Sequence, residues 1–147
     1  TVDIEATPFV ETKPWITITQ THNTFPPGYT GQEELASLTL NGLDDEAIRF
    51  KKLKYEVIST DFILEDIELS CSNIGVSNTG IINVPGAGSK TIKKGDTSFI
   101  NLWVRTRDAT KLGKFQVVIT SITGSGEKSG ATKELLQSPV ILDVTIQ

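Results

Sequence analysis

The chain of 147 residues has no methionine, one cysteine and one histidine. A single cysteine, Cys71, rules out an internal disulfide framework. His22 is the only histidine base, Cys71 the one thiol, and no Gly-x-Ser-x-Gly elbow occurs, so nothing in the sequence joins a nucleophile to a base and an orienting group. Clustered His and Cys ligands for a transition metal are missing too. The formal net charge of -4 opposes nucleic-acid binding, which calls for a basic patch. No apolar run approaches the roughly 20 residues of a membrane-spanning helix. No Asn-x-Ser/Thr sequon occurs, so N-glycosylation is not expected. Gly86-Ala87-Gly88-Ser89-Lys90 opens like a phosphate loop, but no helix pattern follows it to present amides to an anion. These absences argue against an enzyme, a nucleic-acid binder and a membrane-inserted chain. The start at Thr1 and the lack of methionine lead us to expect a mature, secreted chain whose targeting segment was removed.

What is present is strand patterning. From Thr97 to Arg105, Ile100, Leu102 and Val104 alternate with Asn101 and Arg105; from Lys114 to Ile122, Phe115, Val117 and Ile119 alternate again. Period two means one buried face and one wet face. Turn signals, Lys94-Gly95-Asp96 and Leu112-Gly113-Lys114, precede the two strands. The stretch reads as a hairpin at the centre of a β-sandwich.

Further strands follow the same logic. Trp15–Thr21 alternates, and the segment 31–40 places Ala36, Leu38 and Leu40 on one face. Over Ile48–Ile58 the apolar phase switches between Phe50 and Leu53, which implies either a bulge near Lys51-Lys52 or residues buried on both faces. Phe62–Cys71 aligns Ile63, Ile67 and Leu69, and Val140–Ile146 aligns Val140, Leu142, Val144 and Ile146. Residues 80–84 suggest one more short strand, residues 22–29 a loop, and Gly124–Gly130 a flexible tip. No amphipathic helix longer than two turns is visible, so parallel βαβ units are excluded. The expectation is an all-β antiparallel sandwich, jelly-roll or immunoglobulin-like, of about seven to nine strands over 15–147.

The first 14 residues read differently. Val2, Ile4 and Ala6 alternate with Asp3, Glu5 and Thr7, and Pro8 and Pro14 follow. Proline keeps such a segment out of a central strand. It is either a first strand on the chain's own sheet or an arm that completes a neighbour's sheet by strand addition.

Two acidic groups, Asp44-Asp45-Glu46 and Asp61 with Glu65, Asp66 and Glu68, offer the oxygen ligands that calcium takes. They equally suit a solvated acidic surface. Trp15 and Trp103 suit core or interface positions or, with Tyr29, a ligand platform.

Ile92-Lys93-Lys94-Gly95-Asp96-Thr97, the strand Phe99–Val104, the link Ala109–Gly113 and the strand Phe115–Ile119 resemble the late hairpin of immunoglobulin-like domains in archaeal and bacterial surface proteins. In layout the whole chain is similar to secreted filament subunits of the TasA/camelysin type and to archaeal cannula (CanA-like) tubule proteins. That resemblance implies a filament, pilus or tubule subunit on the cell surface. It implies copies of the chain as partners, donor-strand exchange through Val2, Ile4 and Ala6, and assistance by calcium. The other function expected from the sequence is a carbohydrate- or protein-binding sandwich module of a surface protein.

Overall fold

The computed structural model describes residues 15–28, 33–71, 75–84 and 91–147. The arm 1–14, with Val2, Ile4 and Ala6, lies outside the described residues, as do Tyr29 and the Gly-x-Gly stretch 86–90.

The described residues form twelve strands. In chain order they are β1 (Ile16–Gln20), β2 (Thr24–Phe25), β3 (Ala36–Asn41), β4 (Ile48–Ile58), β5 (Ile67–Cys71) and β6 (Gly75–Ser77), then β7 (Ile81–Asn83), β8 (Thr91–Ile92), β9 (Thr97–Thr106), β10 (Gly113–Gly126), β11 (Thr132–Glu134) and β12 (Val140–Ile146). They build two sheets around one core, which is the expected all-β sandwich. The first sheet runs β1-β3-β9-β5-β6, and the second runs β2-β12-β10-β4-β7 with β11 beside β10 and β8 beside β4. The strands beyond the expected number are β2, β6, β8 and β11, each two or three residues long. Pieces that short carry no readable period.

The expected central hairpin is corrected in one respect. β9 and β10 are each the middle strand of a sheet, but of different sheets. Their alternation is as expected: Ile100, Leu102 and Val104 face Phe115, Val117 and Ile119 across the core, all buried. The connection 107–112 is too long for a tight two-residue hairpin and crosses the roughly 10 Å between packed sheets. Asp108 shapes it, accepting the N–H of Thr110 at 2.8 Å and its hydroxyl at 2.7 Å. Gly113 ends it at φ 150°, where a Cβ would lie 2.8 Å from the Asp61 side chain.

The phase switch in β4 is a bulge. Lys52 opposes Thr123 and Phe50 opposes Gly124, which leaves Lys51 without a counterpart on β10. The extra residue turns Ile48 and Phe50 on one side of it, and Leu53 and Tyr55 on the other, all into the core. A second irregularity at Thr120 lies between Ile119 and Ser121.

Three other expectations change. The strand expected over Phe62–Cys71 begins only at Ile67, after a 3₁₀ turn at Leu64–Asp66. Ser59 Oγ accepts the N–H groups of Asp61 and Phe62, and Asp66 accepts that of Ile63. These side chains draw the backbone out of extension, and Ile63 ends up 63% exposed. Gly124 and Gly126 are not a loop tip but continue β10 opposite Phe50 and Ile48, and glycine stands at 126 because a side chain there would run into the Glu46 carboxylate. Thr24–Phe25 is not loop but a short strand parallel to β12.

Candidate assembly edge

A sheet edge is a row of backbone donors and acceptors, and the two flanks of this sandwich treat that row differently. On one flank the chain passes from β6 in the first sheet to β7 in the second through Asn78–Gly80. Tyr55 pins the crossing: its N–H bonds Gly80 O at 2.8 Å and its hydroxyl bonds Ser77 O at 2.8 Å. Then β7, Val84 and β8 follow β4 from Lys54 back to Ile48. Most of the β4 edge is therefore paired.

The other flank is formed by β1 and β12. Asn41 N bonds Trp15 O and Thr21 N bonds Leu35 O, so residues 15, 17, 19 and 21 turn their backbone groups toward β3. By the two-residue alternation, Ile16, Ile18 and Gln20 turn theirs outward. On β12, the N–H groups of Thr145 and Gln147 bond Asn23 O and Phe25 O, so Asp143 and Ile141 point the same outward way. The strand β2 reaches only Thr145 and Ile146. The Gln20 side-chain amide bonds Asp143 O at 2.6 Å and ties the two sheets at that level. Among the described residues, no strand lies beside Val140–Val144 on this side.

Natural edges are guarded by lysine, proline, bulges or brevity. β12 is seven residues long, and Asp143 is its one charge. Ile141, 57% exposed, projects from the outer face beside Val118 and Glu56. Val118 is buried although it points away from the core cluster. An unpaired row of backbone groups next to apolar side chains is what strand addition uses: the main chain supplies affinity, and alternate side chains supply register.

The acidic groups do other work. Asp44 pairs with Lys133, Asp45 with Lys94 at 2.6 Å and Glu68 with Arg105 at 2.6 Å. Asp61 accepts the Lys114 N–H, and Asp66 lies 3.8 Å from Lys111. Glu46 accepts the N–H groups of Lys128 and Ser129 and the Ser129 hydroxyl. For Glu65 the contact shown is through its backbone oxygen, which accepts Asn78 Nδ2. The two groups sit at opposite ends of β4, roughly 30 Å apart. Among the described residues no three His, Cys, Asp or Glu side chains converge as a metal would need. Among the described residues the two groups are thus not brought together into one site. Hydrogen bonds from Ser129 hold the Glu46 carboxyl below its usual range, and the Lys94 bond and charge do the same for Asp45. Such stabilisation is present above the unfolded carboxylate range and is lost as pH falls through the lowered values.

Cys71 is a core residue whose thiol burial pushes up to about 12. The exposed His22 bonds across to Leu35, which bonds Leu102, the partner of Cys71. Two strands thus separate His22 from Cys71, roughly 14 Å, which does not bring a nucleophile and base together. Trp15 packs partly on the core. Trp103 lies on the outer face of the first sheet, opposite Ser70 and on the same side of β9 as Phe99, which is 61% exposed.

The open edge is not in the sequence reading, because edge status follows from strand order. One signal does exist. Val140, Leu142, Val144 and Ile146 already fill the inner face of β12, so Ile141 is an isoleucine on the wet side without a core to explain it.

No family model and no curated protein matches the chain. A solved structure similar to it is that of the E. coli chaperone DraB, at 14% identity and a TM-score of 0.40 over 90% of this chain. The chain spans 56% of the length of that structure.

Proposed function

We propose that this chain is a structural subunit of a secreted filament, pilus or tubule, joined to copies of itself by strand addition. The arm of one copy, with Val2, Ile4 and Ala6 at alternate positions, pairs with an open sheet edge of the next. The observation that carries this reading is the β12 edge from Val140 to Val144, beside which no strand lies among the described residues, with Ile141 exposed next to it. A strand laid there meets the outward-facing backbone groups of Ile141 and the N–H of Asp143, and takes the place of the Gln20 amide at Asp143 O. Donor and acceptor are different surfaces, so the contact is head-to-tail, and a head-to-tail contact that does not close propagates into an open polymer. Calcium enters this reading only as a bridge ligated from more than one copy.

Deleting residues 1–12 tests it. The truncated chain is expected to stay folded and monomeric, while the full chain forms ordered polymers in electron micrographs. Unchanged polymers from the truncated chain overturn the reading. A full-length chain that stays monomeric at high concentration and binds a cell-wall glycan would favour the binding module instead, with Trp103 and Phe99 on its face.

A further inference from the structure

We propose that Lys133 and Asp44 become joined by an amide bond formed within the folded chain, a covalent cross-link that is independent of assembly. Lys133 Nζ is in direct contact with Asp44 Oδ2. The contact spans 89 positions in sequence, from the β3–β4 loop to the middle of β11. Its side chains are 33% and 36% exposed, whereas those of the adjacent pair Lys94–Asp45 are 64% and 92% exposed. The two ion pairs share one loop but differ in their access to water.

Both partners are held by backbone, not by chance encounter. Lys133 stands opposite Gly124 in the β10–β11 ladder, flanked by the bonds Gly126 N to Ala131 O and Leu135 N to Ile122 O. The loop bearing Asp44 is fixed at one end by reciprocal bonds of Gly42 with Gly95 and Asp96. At the other end Glu46 grips the turn at Lys128 and Ser129, in a space that Gly126 leaves free. Glu46 thereby positions the loop against the hairpin that carries Lys133. Holding reacting groups in one geometry raises their effective concentration, to about 10⁵ M or more in the best-oriented intramolecular reactions. That is the condition under which condensation can win over hydrolysis in water.

The step balances without any co-reactant. A proton passes from the ammonium to the carboxylate, leaving a neutral amine and a neutral acid. The Nζ lone pair attacks Asp44 Cγ, and the C–N bond forms. The C–OH bond then breaks, the hydroxyl leaves with a second proton from nitrogen as water, and an amide replaces two charges. The ring so closed contains β4 to β10 and therefore most of the core. Load applied to the chain ends would bypass those strands.

The test is the intact mass of the folded, full-length chain after incubation at neutral pH. One water less than the sequence mass is expected, with peptide mapping that joins Lys133 to Asp44. Asp44→Asn should lose ammonia instead of water and arrive at the same final mass as the wild type. Lys133→Arg keeps a cation but cannot form the bond. It should show its full mass and a melting temperature lower by about 10 °C, by analogy with other long-loop cross-links. A folded wild-type chain at full sequence mass overturns the proposal, as does a lost water that maps elsewhere.

Discussion

The flank carrying β6, β7 and β8 and the flank carrying β1 and β12 border the same two sheets and the same core, yet the first is stitched along its length and the second at one end. The difference lies in how far the chain runs on after it crosses between the sheets. On the closed flank β6, a three-residue crossing and β7 are followed by Val84 and β8, which pair β4 down to Ile48. Closing so short a connection costs little chain entropy. On the open flank the chain also crosses in three residues, from β1 to β2, but β2 pairs only Thr145 and Ile146, and the further tie is the Gln20 amide on Asp143 O. Among the described residues no strand continues along β12 to Val140, so pairing there would come from another segment. In the proposed subunit that segment is the arm of another copy.

The comparison can be broken first at the closed flank, where the larger of the two flanks' stability effects is expected. Gly80 has φ 90°, and a Cβ there would meet Tyr55 O at 3.1 Å. Gly80→Val forces a β-branched residue into this conformation and crowds the hydrogen bond that fixes the crossing. A loss of about 1–3 kcal/mol is expected, seen as a melting temperature lower by roughly 5 °C. An unchanged melting temperature would mean that the Gly80 corner does not hold the flank closed.

A smaller effect is expected on the open side. Gln20→Ala removes the amide bond to Asp143 O at a largely exposed site, and should cost about 0.5–1 kcal/mol in chemical denaturation. A cost equal to that of Gly80→Val would show the two flanks to be equally stitched.

The sequence displayed the flanks unequally as well. Ile100, Leu102, Val104, Phe115, Val117 and Ile119 announced two central strands because a half-buried strand repeats every two residues. The bulge at Lys51 was legible for the same reason, since an extra residue must shift the apolar phase. The pairing of β9 with β10 was misread. Alternation reports which face is buried, not which sheet the strand joins, and a polar link of six residues serves a hairpin or a crossing equally well. At Asp44–Glu46 and Asp61–Glu68 the sequence shows the carboxylates but not the lysines, arginines and backbone amides that meet them from distant segments. Arg105 opposite Glu68 is a product of register, and Lys133 against Asp44 a product of the β3–β4 loop packing beside β11.

The smallest expected effect on stability falls at Ile141, and there the two flanks separate most clearly. Ile141 lies outside the core cluster and projects from an edge beside which, among the described residues, no strand lies. Ile141→Lys replaces an exposed apolar side chain with the residue that edge strands ordinarily carry to discourage pairing. The melting temperature of the monomer should barely move, within about 0.5 kcal/mol of the wild type. Assembly should nevertheless fall sharply, because the charge sits beside the backbone groups that an added strand would use. A lysine at Ile81, also partly exposed but on β7 at the closed flank, should leave assembly unchanged. If both substitutions, or neither, weaken polymer formation, the β12 edge is not the acceptor, and the asymmetry between the flanks concerns folding alone.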